Sequence, residues 1–386
     1  MERVYLDHAA TSPLHPSVIR AMTSAMESTF GNPSSIHAFG REARRLVDEA
    51  RSMAARSIGA DFEEIVFTSG GTEADNLAII GTALANANRG KHIITTAIEH
   101  HAVLHACEFL ESKGFEVTYL PVDASGVVSS REVYAALRDD TILVTIMTVN
   151  NEVGTIQPIA EIGSLLKDHP AYFHTDAVQG FGLLPIDVRE WNVDLLSVSS
   201  HKINGPKGIG FLYIKNGVRI SPLFYGGQQE RKRRAGTENV PSLAGFAEAI
   251  RIVLEERKGR DQKYRRFADR FCAILEKGGI CFERNGDPSR TISHILNLSF
   301  PGTNVEQLLV NLDLAGIAAS SGSACTAGSP EPSHVLVAMY GSDSERVRNS
   351  IRFSFGLGLQ EEDVERAAAE TVRIVKRLTE GGRGIA

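Results

Sequence analysis

Seven short apolar runs punctuate the chain between residues 64 and 214, at 64–68, 92–96, 116–120, 141–148, 171–174, 194–198 and 210–214. Helical patterns lie between and around them, such as the segment from about 41 to 58. There Leu46, Val47, Ala50, Met53 and Ala54 recur at helical spacing before Gly59 ends the run. Strand, helix, strand repeated in this way constrains the fold strongly. It predicts an α/β protein with a mostly parallel sheet covered on both faces, because strands buried on both sides read as continuous apolar stretches. After the Gly- and Arg-rich stretch from 225 to 237, a helical segment from about 241 to 271 leads away from that sheet. A strand near 292–300, a helix near 305–314 and a final helix from about 361 to 378 then predict a smaller α+β unit. With 386 residues and 42% hydrophobic content, one large domain plus a smaller one fits better than a string of modules.

Charge and cysteine usage exclude several functions. Lys and Arg number 41 against 47 Asp and Glu, a net charge of −6, so a generally basic surface coating nucleic acid is ruled out. The four cysteines, at 107, 272, 281 and 325, form no CxxC pair, which argues against a disulfide framework and a cysteine-rich zinc site. The opening Met-Glu-Arg-Val-Tyr-Leu lacks a signal peptide's apolar core, and no window nears 18 uninterrupted apolar residues. The expectation is a cytoplasmic protein that contacts neither membrane nor nucleic acid directly.

Five constellations could carry chemistry. Thr68-Ser-Gly-Gly-Thr-Glu-Ala-Asp75 joins a strand to a helix start, where free N–H groups and the helix dipole suit a phosphate. Thr72 and Asp75 are spaced like a capping box, and an ordinary capped helix would explain the segment as well. In Phe173-His-Thr-Asp176-Ala-Val-Gln179 a carboxylate ends an apolar strand, where open α/β sheets bind ligands; buried there, it needs a cation such as a protonated pyridine nitrogen. Lys202, between a strand and a Gly-Pro turn, could lose enough amine pKa to form a Schiff base, although a lone lysine is usually solvated. Taken together, Lys202, Asp176 and the phosphate-suited turn are the three contacts pyridoxal phosphate (PLP) requires. Cys325 lies in a loop of small residues, Ser320-Ser-Gly-Ser-Ala-Cys325-Thr-Ala-Gly, with the access a travelling nucleophile needs; the other three cysteines read as buried fillers. In Glu99-His-His-Ala-Val-Leu-His105, His101 and His105 stand at metal-ligand spacing but no third ligand is evident, so no metal site is expected. A histidine after a strand end could instead stack on a cofactor ring and relay protons. Arg352, between apolar neighbours, could make a bidentate carboxylate contact or a structural ion pair.

With these residues together the sequence resembles the NifS/IscS-type cysteine desulfurases, within the class V aminotransferases. The resemblance runs from Tyr5-Leu-Asp-His-Ala-Ala-Thr11 through Gly31-Asn-Pro-Ser-Ser35 to Arg352. Ser199-Ser-His-Lys202 with Gly205-Pro-Lys-Gly208, and Ser321-Gly-Ser-Ala-Cys325, are its most specific parts, and the long cysteine loop is similar to the family's first group. The resemblance implies aminotransferase fold type I, with a seven-stranded sheet in a large PLP-binding domain over 16–255. A small domain from 1–15 and 256–386 would carry the cysteine loop. It implies that Lys202 holds PLP, Asp176 pairs with its ring nitrogen and Gln179 bonds its ring hydroxyl. Gly71, Thr72, Ser199 and His201 would hold the phosphate, and His100 would stack over the ring. Asn32, Asn151 and Arg352 would contact the substrate, with Asn151 also beside the cofactor. Thr237 would reach the phosphate of the opposite subunit, which implies a homodimer. The implied reaction converts L-cysteine to L-alanine and a Cys325 persulfide. The sulfur would pass to an acceptor protein, an iron–sulfur scaffold or a tRNA 2-thiouridine synthase, with Cys325 as a transient iron–sulfur ligand in the former case. A selenocysteine lyase, an aminotransferase, or a non-catalytic sulfur-relay protein of the same fold are the competing readings.

Overall fold

The computed structural model describes residues 3–321 and 332–381. Seven of its strands form one sheet: β2 (Ile65–Thr68), β3 (His92–Thr96), β4 (Glu116–Leu120), β5 (Thr141–Thr145), β6 (Tyr172–Asp176), β7 (Leu195–Ser199) and β8 (Gly210–Ile214), preceded in the chain by the short β1 (Val4–Tyr5). The order is β2-β8-β7-β6-β5-β3-β4. Neighbours from β7 through β4 run parallel, while β8 is antiparallel to both β2 and β7. This is the predicted mostly parallel sheet, and every residue of β2, β3, β5, β7 and β8 is buried. One face packs Phe67, Phe173, Phe211 and Phe246 against the helices, the last from the long helix Val240–Lys277; the other carries Ile93, Leu143, Leu195 and Leu212. Burying one such side chain contributes about 1.5–3 kcal/mol.

The last third builds a second core. Strands β9 (Glu283–Arg284), β10 (Ile295–Ser299) and β12 (Ser350–Ser354) form an antiparallel sheet in the order β12-β10-β9. Phe271, Leu298, Phe353 and Val364 meet there, joined by Leu6 from the other end of the chain. β1 pairs in parallel with β11 (Ile317–Ala318), with Val4 opposite Ile317, and Asp7 bridges to Ser354. The first residues are thereby stitched to the C-terminal unit. The long helix touches both cores: Phe246 and Val253 lie in the first, Phe267 and Phe271 in the second.

Two local expectations are corrected. The helix after β2 begins at Gly71 behind Gly70 (φ +148°), and no side chain caps it. Asp75 turns inward and is buried, while Glu73 reaches back to accept from the Ser69 N–H at 2.8 Å. The i, i+3 spacing of Thr72 and Asp75 is equally that of two residues on one inward helix face. Cys281 is exposed rather than a buried filler, because β9 begins only at Glu283; Cys272 is half-buried and Cys107 buried.

Candidate active site

Parallel strands end on one edge of the sheet, and the turns that follow β3, β5, β6 and β7 converge there. They enclose a cavity of about 350 Å³ bordered by Gly71, Thr72, His100, Asp176, Lys202 and Arg352. Asn151, Gln179, Ser199 and His201 also face it. The structure therefore brings ten of the singled-out residues to one cavity from segments scattered over 71–352.

The lysine is held by the chain's own beginning. A 3₁₀ turn over Ser200–Lys202 follows β7, and Lys202 Nζ donates to the carbonyls of Ala9 and Ala10 at 2.6 and 2.7 Å. Gln179 Nε2 donates to the same Ala9 carbonyl at 3.0 Å, and Ser12 Oγ to the His201 carbonyl at 2.7 Å. His201 Nδ1 lies 3.1 Å from Thr11 Oγ1; burial, followed by the Lys202 and Lys207 charges, pushes its pKa down to about 4.

Asp176 closes β6 at the cavity floor. Its Oδ1 accepts the Val178 N–H at 2.8 Å. Burial pushes its pKa up to about 6, against the Val178 bond and the Lys202 charge that pull it down. His100 begins the helix His101–Glu111, with its Nδ1 accepting the Ala102 N–H at 3.1 Å, which leaves the proton of the neutral ring on Nε2. Burial, then Lys202, push its pKa down to about 4.

Arg352 comes from β12 of the second core. It is 2% exposed; Nη2 holds Asp7 Oδ1 at 2.9 Å and Nη1 donates to the Asn151 carbonyl at 2.9 Å. Its Nε is buried without an acceptor. Of the two alternatives for Arg352 the ion pair is present, and the Nε–H is left without an acceptor.

Three expected residues stand apart. Asn32 is exposed, its Oδ1 accepting the Ser34 N–H at 2.9 Å, and Thr237 is exposed; neither borders the cavity. Cys325 lies outside the described residues. The chain on each side of it is nonetheless tied to the site: Ser320 exchanges backbone hydrogen bonds with Arg352 at 2.7 and 3.2 Å. On the other side Ser333 Oγ donates to Glu152, and Glu152 and His334 border the cavity.

Sequence reasoning passed over Asp75, Glu99, Glu152 and His174 as site residues, all between 0 and 1% exposed. Glu99 receives Thr96 Oγ1 at 2.7 Å and the Met147 N–H at 3.0 Å, yet burial still pushes its pKa up to about 8. Alternation along β6 is a signal that could have found His174, because it puts residue 174 on the same face as Asp176.

The cavity fits PLP. Asp176 is buried facing the space with a raised proton affinity, the state of a carboxylate lacking a close cation such as a pyridinium N–H. A Cβ on Gly71 would come within 2.9 Å of Val178 Cγ2, so the helix start stays bare where Gly71 and Thr72 border the cavity, as a phosphate at a helix N-terminus requires. Lys202 enters the same space.

The class-V aminotransferase family model matches residues 4–367. The chain is 63% identical over 379 residues to a putative cysteine desulfurase IscS 1 of Bacillus subtilis, covering 98% of this chain and 100% of that protein. It is 50% identical to a cysteine desulfurase IscS of Methanosarcina thermophila, covering 97% and 92%. Among solved structures, a NifS-like protein superposes with a TM-score of 0.91 at 36% identity, covering 97% of this chain and all of that one. SspA in complex with cysteine gives 0.80 at 38% identity, covering 91% and 98%.

Proposed function

The chain belongs to the class-V aminotransferase family and is a PLP-dependent cysteine desulfurase; on that premise we propose that Cys325 receives the sulfur of L-cysteine as a persulfide. The observation that carries this reading is the anchoring of both sides of the Cys325 segment at the cavity, through Arg352 on one side and Glu152 on the other. Moving sulfur out of the substrate requires a nucleophile supplied beside this cavity.

PLP, when bound, supplies an aldehyde that condenses with amines and a ring that accepts the electron pair left on Cα. Lys202 would hold the cofactor and, once its amine is released, take the Cα proton. Asp176 would keep the ring nitrogen protonated, and Gln179 would bond the ring hydroxyl. Gly71, Thr72, Ser199 and His201 would hold the phosphate. His100, neutral with its proton on Nε2, would stack on the ring and pass protons. Arg352 would bind the substrate carboxylate with its spare donor, and Asn32 and Asn151 would help place the substrate. The Cys325 thiolate forms an S–S bond to the substrate sulfur as the C–S bond breaks. The electron pair of that bond leaves with the carbon skeleton, which becomes L-alanine on protonation.

The persulfide then passes its outer sulfur to an acceptor protein, an iron–sulfur scaffold or a tRNA-thiolating enzyme, in the cytoplasm. Exposed Thr237 supports a homodimer in which each copy completes the other's phosphate site. Residues 16–255 form the large domain, and 1–15 with 256–386 the small one, consistent with the pairing of β1 to β11. Cys325→Ser tests the central step: the protein should stay yellow with cofactor yet form no protein persulfide from L-cysteine, and an undiminished persulfide would overturn the assignment.

A further inference from the structure

Behind Asp176 lies a second carboxyl that the mechanism above does not use. Asp75, on the helix Gly71–Asn76, is 1% exposed and borders the cavity, and its Oδ1 has no hydrogen-bond partner. Ser197 lies beside the same side chain on β7, where it sits opposite Asp176 in register. His174 Nε2 lies 3.7 Å from Asp75 Oδ1, too long for a hydrogen bond. That imidazole is already engaged, with Nε2 3.0 Å from Ser197 Oγ and Nδ1 2.8 Å from Thr145 Oγ1.

Charge is scarce on this floor. From β6 the neighbouring groups are Asp176 and His174; from the turn after β3, Glu99; from the start of the next helix, His100; from the turn after β7, Lys202. Arg352, the nearby guanidinium, is held by Asp7. Burial makes His174 neutral, its pKa pushed down to about 3, so the His174–Asp75 contact is no ion pair. One lysine and one ring nitrogen cannot balance Asp75, Asp176 and Glu99 together in a dry site.

We propose that Asp75 is a positioning residue kept protonated beside Asp176, so that the two buried carboxyls together present a single negative charge to the ring nitrogen of PLP. Burial, reinforced by the Asp176 charge, pushes Asp75 well above the usual carboxylate range, which makes it the member that carries the proton. Kept neutral, it spares Asp176 a repulsive neighbour. Its Ser197 contact keeps the pair in register with the strand ends.

The test is infrared spectroscopy of the holoenzyme at neutral pH, with aspartate labelled by ¹³C at the side-chain carboxyl. The proposal expects a carbonyl band of a protonated carboxylic acid that shifts with the aspartate label and is lost in Asp75→Asn. If that variant fails to fold, Asp176→Asn decides, for the labelled band should persist there. Absence of an aspartate-sensitive band in the wild type, its survival in Asp75→Asn, or its loss in folded Asp176→Asn would each overturn the assignment.

Discussion

The floor and the rim of the active-site cavity are built on opposite principles. On the floor, Asp75, His174, Ser197 and Asp176 come from the ends or flanks of parallel strands and are all at most 6% exposed. They hydrogen-bond mainly to one another and to backbone. At the rim, Ser320 and Ser333, on either side of the segment bearing Cys325, are anchored to Arg352 and Glu152, while Asn32 and Thr237 are exposed on the surface beyond it. A proton held on a ring nitrogen needs a fixed, dry counter-charge, whereas a sulfur that must leave the protein needs groups that can meet another molecule. The surface beyond the rim is still braced. Glu230, the first of three consecutive non-glycine residues with positive φ (45°, 55° and 64°), makes a bidentate pair with buried Arg51 at 2.7 Å. That pair holds the strained turn leading to Thr237.

The comparison can be broken in four ways. The largest effect is expected on the floor: Lys202→Ala should lower turnover by at least about 10³-fold and bleach the protein's visible absorption, since one residue there serves both anchoring and proton transfer. Retention of turnover would end the distinction. Next, Arg51→Ala should destabilise the protein by about 3–5 kcal/mol in urea unfolding, because it strands the Glu230 carboxylate in the core. A change under about 1 kcal/mol would mean the turn holds itself. Arg352→Ala, spanning the two regions, should raise the KM for L-cysteine roughly 30-fold, in keeping with about 2 kcal/mol for a charged hydrogen bond, while the bound cofactor's spectrum stays the same. The smallest effect sharpens the picture of the floor by pH. Glu99 binds its proton more tightly folded than unfolded, so its contribution to apoprotein stability is complete below about pH 4.5 and is lost as pH rises through about 8. Glu99→Gln should flatten that decline in thermal scans across the window, and an unchanged slope would show that Glu99 does not titrate there.

Legibility followed the range of the physics. Sheet and helices could be read because burial on both faces leaves continuous apolar runs; the run at 141–148 overshot β5 only because the turn after Thr145 is itself apolar and buried. Lys202, Asp176 and Gly71 could be read because each sits at a strand–turn boundary with distinctive neighbours. Asp75 was misjudged because capping and inward burial share one spacing. Glu99 and Glu152 escaped because polar residues beside a named histidine or asparagine look like loop filler until the strands are assembled. The Arg352–Asp7 pair joins residues 345 apart in sequence, which no local pattern records.

The seat of the lysine amine is formed by Ala9 and Ala10, on a segment whose strand pairs with Ile317 and Ala318. During synthesis, therefore, this segment must wait for Ile317 and Ala318 to emerge before it can settle. A growing chain exposes the reactive amine without its resting place, and a prematurely terminated one never acquires it. The seat of the amine is therefore assembled only once the second core's strands have been made.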